Sequence, residues 1–296
     1  IGIITAPDLG IVAQHSGIYN LYGKKLGTKL QATVLYGTIL LFKEFTKIYT
    51  ENKMTTKVLS VGGSIIAPDK PDENFLFEFS SMICSWLSEN KDARLILVAG
   101  GGGPARNYQN SYKAVSEKFD ENQKKLSAFE DSEKLNYACD WLGIMATRLN
   151  AQILKTVFGP LCPQDVVTDP TAVSDFKGRI LVAAGWKPGF STDNDAVLLA
   201  ERFAADTVVN LSNIEKVYTD DPRKNPDAKP IDNISWAEFR KMVGDEWVPG
   251  KNCPFDPIAS KKAQELGLTV ICAGGKNIPN IKSILDGSDY IGSTIK

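Results

Sequence analysis

Histidine is nearly absent: His15 is the only one in 296 residues, and residues 54–296 contain none. A reaction carried there has no imidazole to take up a proton near neutral pH. An excess of positive charge is also missing, because 34 Lys and Arg face 35 Asp and Glu for a formal net charge of −1. No field over the whole molecule draws in nucleic acid, so any polyanion must be held by a local site. The five cysteines, Cys84, Cys139, Cys162, Cys253 and Cys272, are odd in number, scattered and without C-x-x-C spacing. That pattern excludes a disulfide framework and a zinc site and reads as buried thiols of a reducing cytoplasm. No metal-ligating set is expected from the chain itself. The apolar run "ATVLYGTILLF" has 11 residues, well short of the roughly 20 that span a bilayer. The small-residue cleavage pattern of a signal peptide is missing too, so neither a membrane partner nor export is expected.

What is present has ordinary globular composition, 43% hydrophobic, enough for one large core or two small ones. The first 53 residues begin at Ile1 and read differently from the rest. At Met54 "MTTKVLSVGGS" opens like a natural start, with a polar lead, an apolar strand and a glycine turn. Residues 1–53 are read as an N-terminal extension and 54–296 as the working domain. From Met54 onward strand, glycine break and helix repeat. "KVLSV" runs into "GGS" and a helix from about Asn74 to Glu89, "RLILVA" into "GGGGPAR", and "RILVAA" into "GWKPGFSTDND" and the helix "AVLLAERFA". "TVVNLS" precedes the polar loop "NIEKVYTDDPRKNPDAKP", and a helix "DPIASKKAQELG" precedes the strand "LTVICAGG". Short buried strands alternating with helices predict an α/β fold, a three-layer sandwich on a largely parallel sheet. Ligands of such sheets bind beyond the carboxyl ends of the strands, where each glycine turn falls.

A strand that ends in glycines and opens a helix leaves backbone N–H groups aimed at the helix N-terminus, a setting for phosphate. A tight turn needing positive φ would account for one or two glycines, not four in a row beside a second "GGS". Neither turn supplies the Lys-[Ser/Thr] of a Walker loop. Gly100, Gly102 and Ala105 satisfy the dinucleotide pattern G-x-G-x-x-[G/A], which also needs an acidic residue ending a second strand about 20 positions on. Asp120 and Glu121 sit instead in "SEKFDENQKK", polar and helical in character.

The stretches "SVGGSII", "VAGGGGPARNY", "CDWLGIMATRLNAQIL", "GWKPGFSTDNDAVLLAE", "NIEKVYTDDPRKNPDAK" and "PFDPIASKKAQELG" together resemble the amino acid kinase superfamily. Within it they resemble the uridylate (UMP) kinases, most closely of the archaeal type. The resemblance covers nearly all of the chain after Met54 and keeps the family's order and spacing. It implies transfer of the γ-phosphoryl of ATP to UMP in pyrimidine nucleotide biosynthesis, with Mg²⁺ as cofactor and a homo-oligomer, a hexamer, as the assembly. Carried over by position, Gly63, Ser64 and Gly102 face the ATP phosphates, Gly101 faces UMP, and Arg106 bridges toward the phosphates. Asp140 takes the UMP ribose hydroxyls, and Trp186, Lys187, Pro188, Gly189, Phe190, Ser191 and Thr192 line the acceptor site. Ser212, Asn213, Tyr218 and Asp221 hold the adenosine end, and Asp256 lies near the reacting phosphates.

The chemistry is consistent with this. The UMP phosphate is largely ionised at neutral pH and needs no base, so backbone N–H groups, a guanidinium and Mg²⁺ can carry the reaction. Plainer readings stand beside these. "STDND" suits a helix cap, Asp140 a solvated helix residue, Tyr218 packing, and "DDPRKNPD" a turn. Two departures from the family matter: Ser60 stands where many bacterial members have a lysine, and Gly185-Trp186 where Gly-Thr is common. "NIEKVY" likewise replaces the commoner Val-Asp-Gly-Val-Tyr. Arg106 and Lys187 are the candidates for the missing cation, with a solvated surface lysine as the alternative for Lys187. Acetylglutamate and carbamate kinases, and nucleotide-storing proteins of the same fold, remain the alternative functions.

Overall fold

The computed structural model describes residues 4–6, 11–14, 17–20, 54–125, 127, 131–246 and 253–296. The chain divides into two compact units, Ile1–Lys53 and Met54–Lys296. In the first, β1 (Ile4–Ala6), β2 (Ile11–Gln14) and β3 (Gly17–Asn20) form an antiparallel sheet in that order. His15 and the run "ATVLYGTILLF" lie outside the described residues.

The second unit is built on β4 (Thr55–Val61), β5 (Ala93–Ala99), β6 (Ile180–Ala183), β7 (Thr207–Ser212), β8 (Val217–Tyr218), β9 (Pro230–Ile231), β10 (Asn233–Ile234), β11 (Thr269–Gly274) and β12 (Ser293–Ile295). Seven of them pair in the order β10-β12-β11-β7-β4-β5-β6, while β8 and β9 form a separate ribbon. The run β11-β7-β4-β5-β6 is parallel throughout, and only the β11–β12 pairing of this sheet is antiparallel. The largely parallel sheet expected from the sequence is therefore present.

Both faces of the sheet are covered, which explains why its strands are continuous apolar runs rather than alternating ones. Leu59, Val61, Leu95, Leu97, Val182 and Leu211 pack with Phe79, Ile83 and Trp86 of α2 (Glu73–Glu89), Leu154 of α5 (Ser132–Phe158) and Ile281 of α9 (Ile278–Asp286). The intervening Val58, Ile96, Val98, Leu181 and Val208 pack with Leu199 of α6 (Thr192–Arg202), Phe239 of α7 (Trp236–Val243) and Ala259 of α8 (Pro257–Glu265). The two-residue period of each strand thus feeds two cores, and each fully buried Leu or Phe contributes about 1.5–3 kcal/mol.

The described residues of the unit also hold a 3₁₀ turn at Gly159–Leu161 and the helices α1 (Gly63–Ile66), α3 (Gly102–Ser116) and α4 (Glu121–Lys125). The last keeps Asp120 and Glu121 out of any strand, so the dinucleotide pattern ends there. From β4 the chain adds β5 and β6 on one side, then returns to place β7 on the other. That reversal sets a crevice at the carboxyl ends of β4 and β7. None of the five cysteines is in a disulfide, but the expectation of buried thiols fails for Cys84, which is exposed, and is met only in part by the half-buried Cys253. Cys84 follows the core-facing Ile83 on α2, and the helical turn carries it to solvent.

Candidate functional site

β4 and β5 are parallel neighbours in register, Val61 opposite Ala99, so the glycine turns that follow them meet. A Cβ on Gly63 would lie 2.0 Å from the Gly102 nitrogen, and one on Gly103 would lie 2.1 Å from the Pro68 carbonyl oxygen. Gly102 also needs its φ of +65°. The glycines are thus required first by backbone packing of one turn on the other. The same packing brings the first turns of α1 and α3 together, where Gly103 N–H donates to Ala67 O at 2.9 Å and Ile65 N–H to Gly62 O at 2.8 Å. Asn150 of α5, 3% exposed, locks the arrangement by donating its amide to Gly100 O at 2.8 Å and Gly101 O at 3.1 Å. Nothing in the sequence singled out Asn150, although it lies within the motif "CDWLGIMATRLNAQIL".

The same helix holds the loop after β6. Thr147 Oγ1 accepts from Gly185 N–H at 2.8 Å, and Arg148 donates to Trp186 O at 3.1 Å. Asp140, half-buried, accepts from Gly189 N–H at 2.9 Å and so anchors the loop. Pro188 and Gly189 make the turn, where Gly189 has a φ of +82°. The Lys187 ammonium lies 3.9 Å from the Trp186 ring centroid and 4.9 Å from that of Phe190. Ser191 caps α6 by accepting from Asn194 N–H at 3.2 Å, and Thr192 begins that helix.

Between loop and turns lies a carboxylate that was not singled out from the sequence. Asp193 accepts from Ser60 Oγ at 3.0 Å and from Asp256 N–H at 3.3 Å. Asp256, itself 7% exposed, caps α8 by accepting from Ala259 N–H at 2.8 Å. Burial pushes Asp193 up to about 6; the Ser60 bond opposes this and the Asp256 charge adds to it. The available signal was chain order, since the third residue of "STDND" sits in the first turn of a helix that starts at the loop.

Asp195, two residues on, is fully buried and accepts from Trp186 N–H at 3.2 Å, while its Oδ1 has no partner. Burial pushes it up to about 7. An unfolded aspartate ionises near 3.8, so the folded chain binds the extra proton between the two values and its stability falls as pH rises through them. Asp195→Asn removes that dependence. Its melting temperature, compared with that of the unaltered chain, is expected to gain about 5 °C or more between pH 4 and pH 8, at about 2–4 °C per kcal/mol for a domain of this size. A constant difference across the range would remove Asp195 as the cause.

On the other side, Ser212 and Asn213 at the end of β7 line a cavity of about 330 Å³ with Ile65, Glu215 and the turn Gly274–Asn277. Tyr218 and Asp221 are not among its lining residues. Asp221 is held by Arg223 at 3.0 Å in a turn, and that partner lowers its pKa. Arg106 is exposed and donates to Pro68 O at 3.3 Å. The structure therefore brings Gly63, Ser64, Gly101 and Gly102 together, and joins Asp140 to the loop Trp186–Thr192. It leaves Tyr218 and Asp221 apart from the cavity.

The sequence profile of the amino acid kinase family matches residues 55–274. The chain is 34% identical to a uridylate kinase of Methanospirillum hungatei over 82% of its own length and 95% of that protein. It is 32% identical to one of Pyrococcus abyssi over 81% of itself and 98% of that relative. The crystal structure of uridylate kinase from Archaeoglobus fulgidus superimposes with a TM-score of 0.65 at 28% identity, covering 81% of this chain and 99% of that one. UMP kinase from Ureaplasma parvum, 16% identical with a TM-score of 0.59 over 82% and 99% of the two chains, shares the fold. With the profile spanning the parallel sheet and both glycine turns, the chain belongs to the amino acid kinase family, alongside archaeal uridylate kinases.

Proposed function

We propose that the chain transfers the γ-phosphoryl of ATP to UMP, giving UDP and ADP. An oxygen of the UMP phosphate bonds to the γ-phosphorus as its bond to the β–γ bridging oxygen breaks. The observation that carries this reading is that one helix, α5, holds both sides of the site, with Asn150 on the glycine turns and Asp140 on the acceptor loop. Such a reaction depends on position and electrostatics rather than on a base. Gly63, Ser64, Gly102 and Arg106 serve the ATP phosphates and Ser212 and Asn213 the adenosine end, while Tyr218 and Asp221 do not line that cavity. Gly101, Asp140 and residues 186–192 serve UMP, and Asp256 stands by the reacting phosphates with Lys187. Mg²⁺ would arrive with ATP, since it is commonly held by one or two carboxylates plus phosphates. ADP release on adding UMP to chain and MgATP tests the proposal, and absence of turnover with any nucleoside monophosphate defeats it. Relatives that are uridylate kinases favour this reading over acetylglutamate, carbamate or storage functions.

Asp140→Asn is expected to raise the KM for UMP about 10-fold or more while the KM for ATP stays nearly constant, since hydrogen bonds to a charged group are worth about 1.5–3 kcal/mol. An equal rise in both would place Asp140 elsewhere. On this reading the reaction belongs to pyrimidine nucleotide biosynthesis in the cytoplasm. No helix among the described residues is long and apolar enough to cross a membrane. A homo-oligomer is supported by the outward stripe of α5, where Tyr137, Met145 and Leu149, eight and four positions apart, are 57%, 56% and 69% exposed. Light scattering on the eluting peak tests for a hexamer. Residues 1–53 form the extension in this proposal, since every site residue lies after Met54. A chain beginning at Met54 is expected to fold and keep full turnover, and its insolubility or inactivity would assign residues 1–53 to the working protein.

A further inference from the structure

Phosphoryl transfer brings several negative charges together, and the position of Ser60 contributes none of the balancing positive charge. Its hydroxyl is spent on Asp193. The two cations suggested by the sequence rest on other partners in the free chain, Arg106 on the Pro68 carbonyl and Lys187 across the rings of Trp186 and Phe190, and neither lines the cavity beside Ser212. A third glycine turn supplies another. β11 ends beside β7 with Gly274 opposite Ser212, and Gly275 N–H donates to Ser212 O at 2.8 Å. The turn packs on α1, where a Cβ at Gly275 would meet Ile65 at 2.8 Å. The next residue is Lys276, which carries the only positive charge among the residues lining the cavity with Ser212 and Asn213. Its ammonium lies 3.1 Å from Asp72 in a pair whose side chains are 59% and 23% exposed. Surface pairs of this kind are weak, so exchange of the carboxylate for a phosphate oxygen costs little.

We propose that Lys276 binds the phosphate chain of the donor nucleotide, supplying there the positive charge that Ser60 does not. The proposal rests on the donor site described above. It treats the Asp72 contact as the resting position of the ammonium when no nucleotide is bound. Asp72 has its own task as cap of α2, accepting from Phe75 N–H at 3.0 Å, and asparagine performs that task about as well. The two partners can therefore be tested separately.

Equilibrium binding of ATP, ADP and adenosine to the full chain, without UMP, decides the matter. Lys276→Met is expected to weaken ATP and ADP about 10-fold or more and leave adenosine unchanged, as removal of a charge-assisted hydrogen bond to phosphate requires. Lys276→Arg restores most of the affinity, and Asp72→Asn binds ATP at least as tightly as the unaltered chain. In turnover the loss in Lys276→Met appears in the KM for ATP, with the KM for UMP unmoved. Unchanged ATP binding in Lys276→Met overturns the proposal, and so does an equal loss in Asp72→Asn, which would make the pair a staple between two loops. Adenosine weakened as much as ATP also overturns it. A chain that binds ATP in this pattern but transfers nothing to UMP refutes the acceptor and keeps Lys276, whereas a chain that binds no ATP refutes both.

Discussion

Gly63→Ala is expected to lower turnover by more than about 10²-fold. The added methyl would lie 2.0 Å from the Gly102 nitrogen and 2.5 Å from Gly100 C and Gly101 N. All three are backbone atoms with no rotamer to retreat into, so one turn must move off the other. A displacement of about 1 Å between groups that must converge on one phosphate is enough for a loss of this size. Stability falls as well, because the Asn150 bonds to Gly100 and Gly101 are strained by the same movement. Gly267→Ala is the matched comparison. That residue has a φ of +65° with nothing within 4 Å of an added Cβ, so only left-handed strain of about 1–2 kcal/mol applies and turnover is retained. Steady-state kinetics beside thermal melts separate the two. Full turnover in Gly63→Ala would show that the turns need not touch for catalysis.

Asp193→Ala is expected to lower kcat by about 10²-fold, with both KM values moving little. The carboxylate ties the end of β4 through Ser60 to the start of α8 through the Asp256 N–H, and its own helix begins at the acceptor loop. Its loss unpairs a hydroxyl and an N–H at the junction of three elements that must hold the reacting phosphates in line. Ser60→Ala removes one bond to the carboxylate and leaves the Asp256 N–H bond in place, so a smaller loss of about 10-fold is expected, since a hydrogen bond to a charged group is worth about 1.5–3 kcal/mol. Equal kcat losses in both variants would assign the effect to the Ser60 bond alone.

Asp193 and Asn150 show where reading residues in order ran out. Both lie in stretches that were quoted for their resemblance to the family, and neither stood out by type. A carboxylate after a cap and an amide in a long helix have plain local explanations, and their partners lie 133 and 50 positions away in the chain. The four glycines, by contrast, were conspicuous at once, but their first physical reason was not. A strand followed by glycines suggests a phosphate cradle, whereas the contact of Gly63 with Gly102 appears only when β4 and β5 lie side by side. Lys187 was assigned by its loop, and the rings of Trp186 and Phe190 proved to be its neighbours.

The sequence by itself determined the alternation of strands and helices and the largely parallel sheet, because apolar runs of strand length between amphipathic helices have one economical burial, a parallel sheet covered on both faces. It also determined that the chemistry after Met54 proceeds without histidine, since residue type alone decides which protons can move near neutral pH. Only the tertiary structure decided which polar groups meet. Hydrogen bonds and ion pairs act over a few ångströms, and strand order fixes that proximity independently of chain distance. Thus Ser60 ends against Asp193, Trp186 against Asp195 and Lys276 against Asp72. Burial belongs with them, because Asp195 rises to about 7 only where the packed layers exclude water.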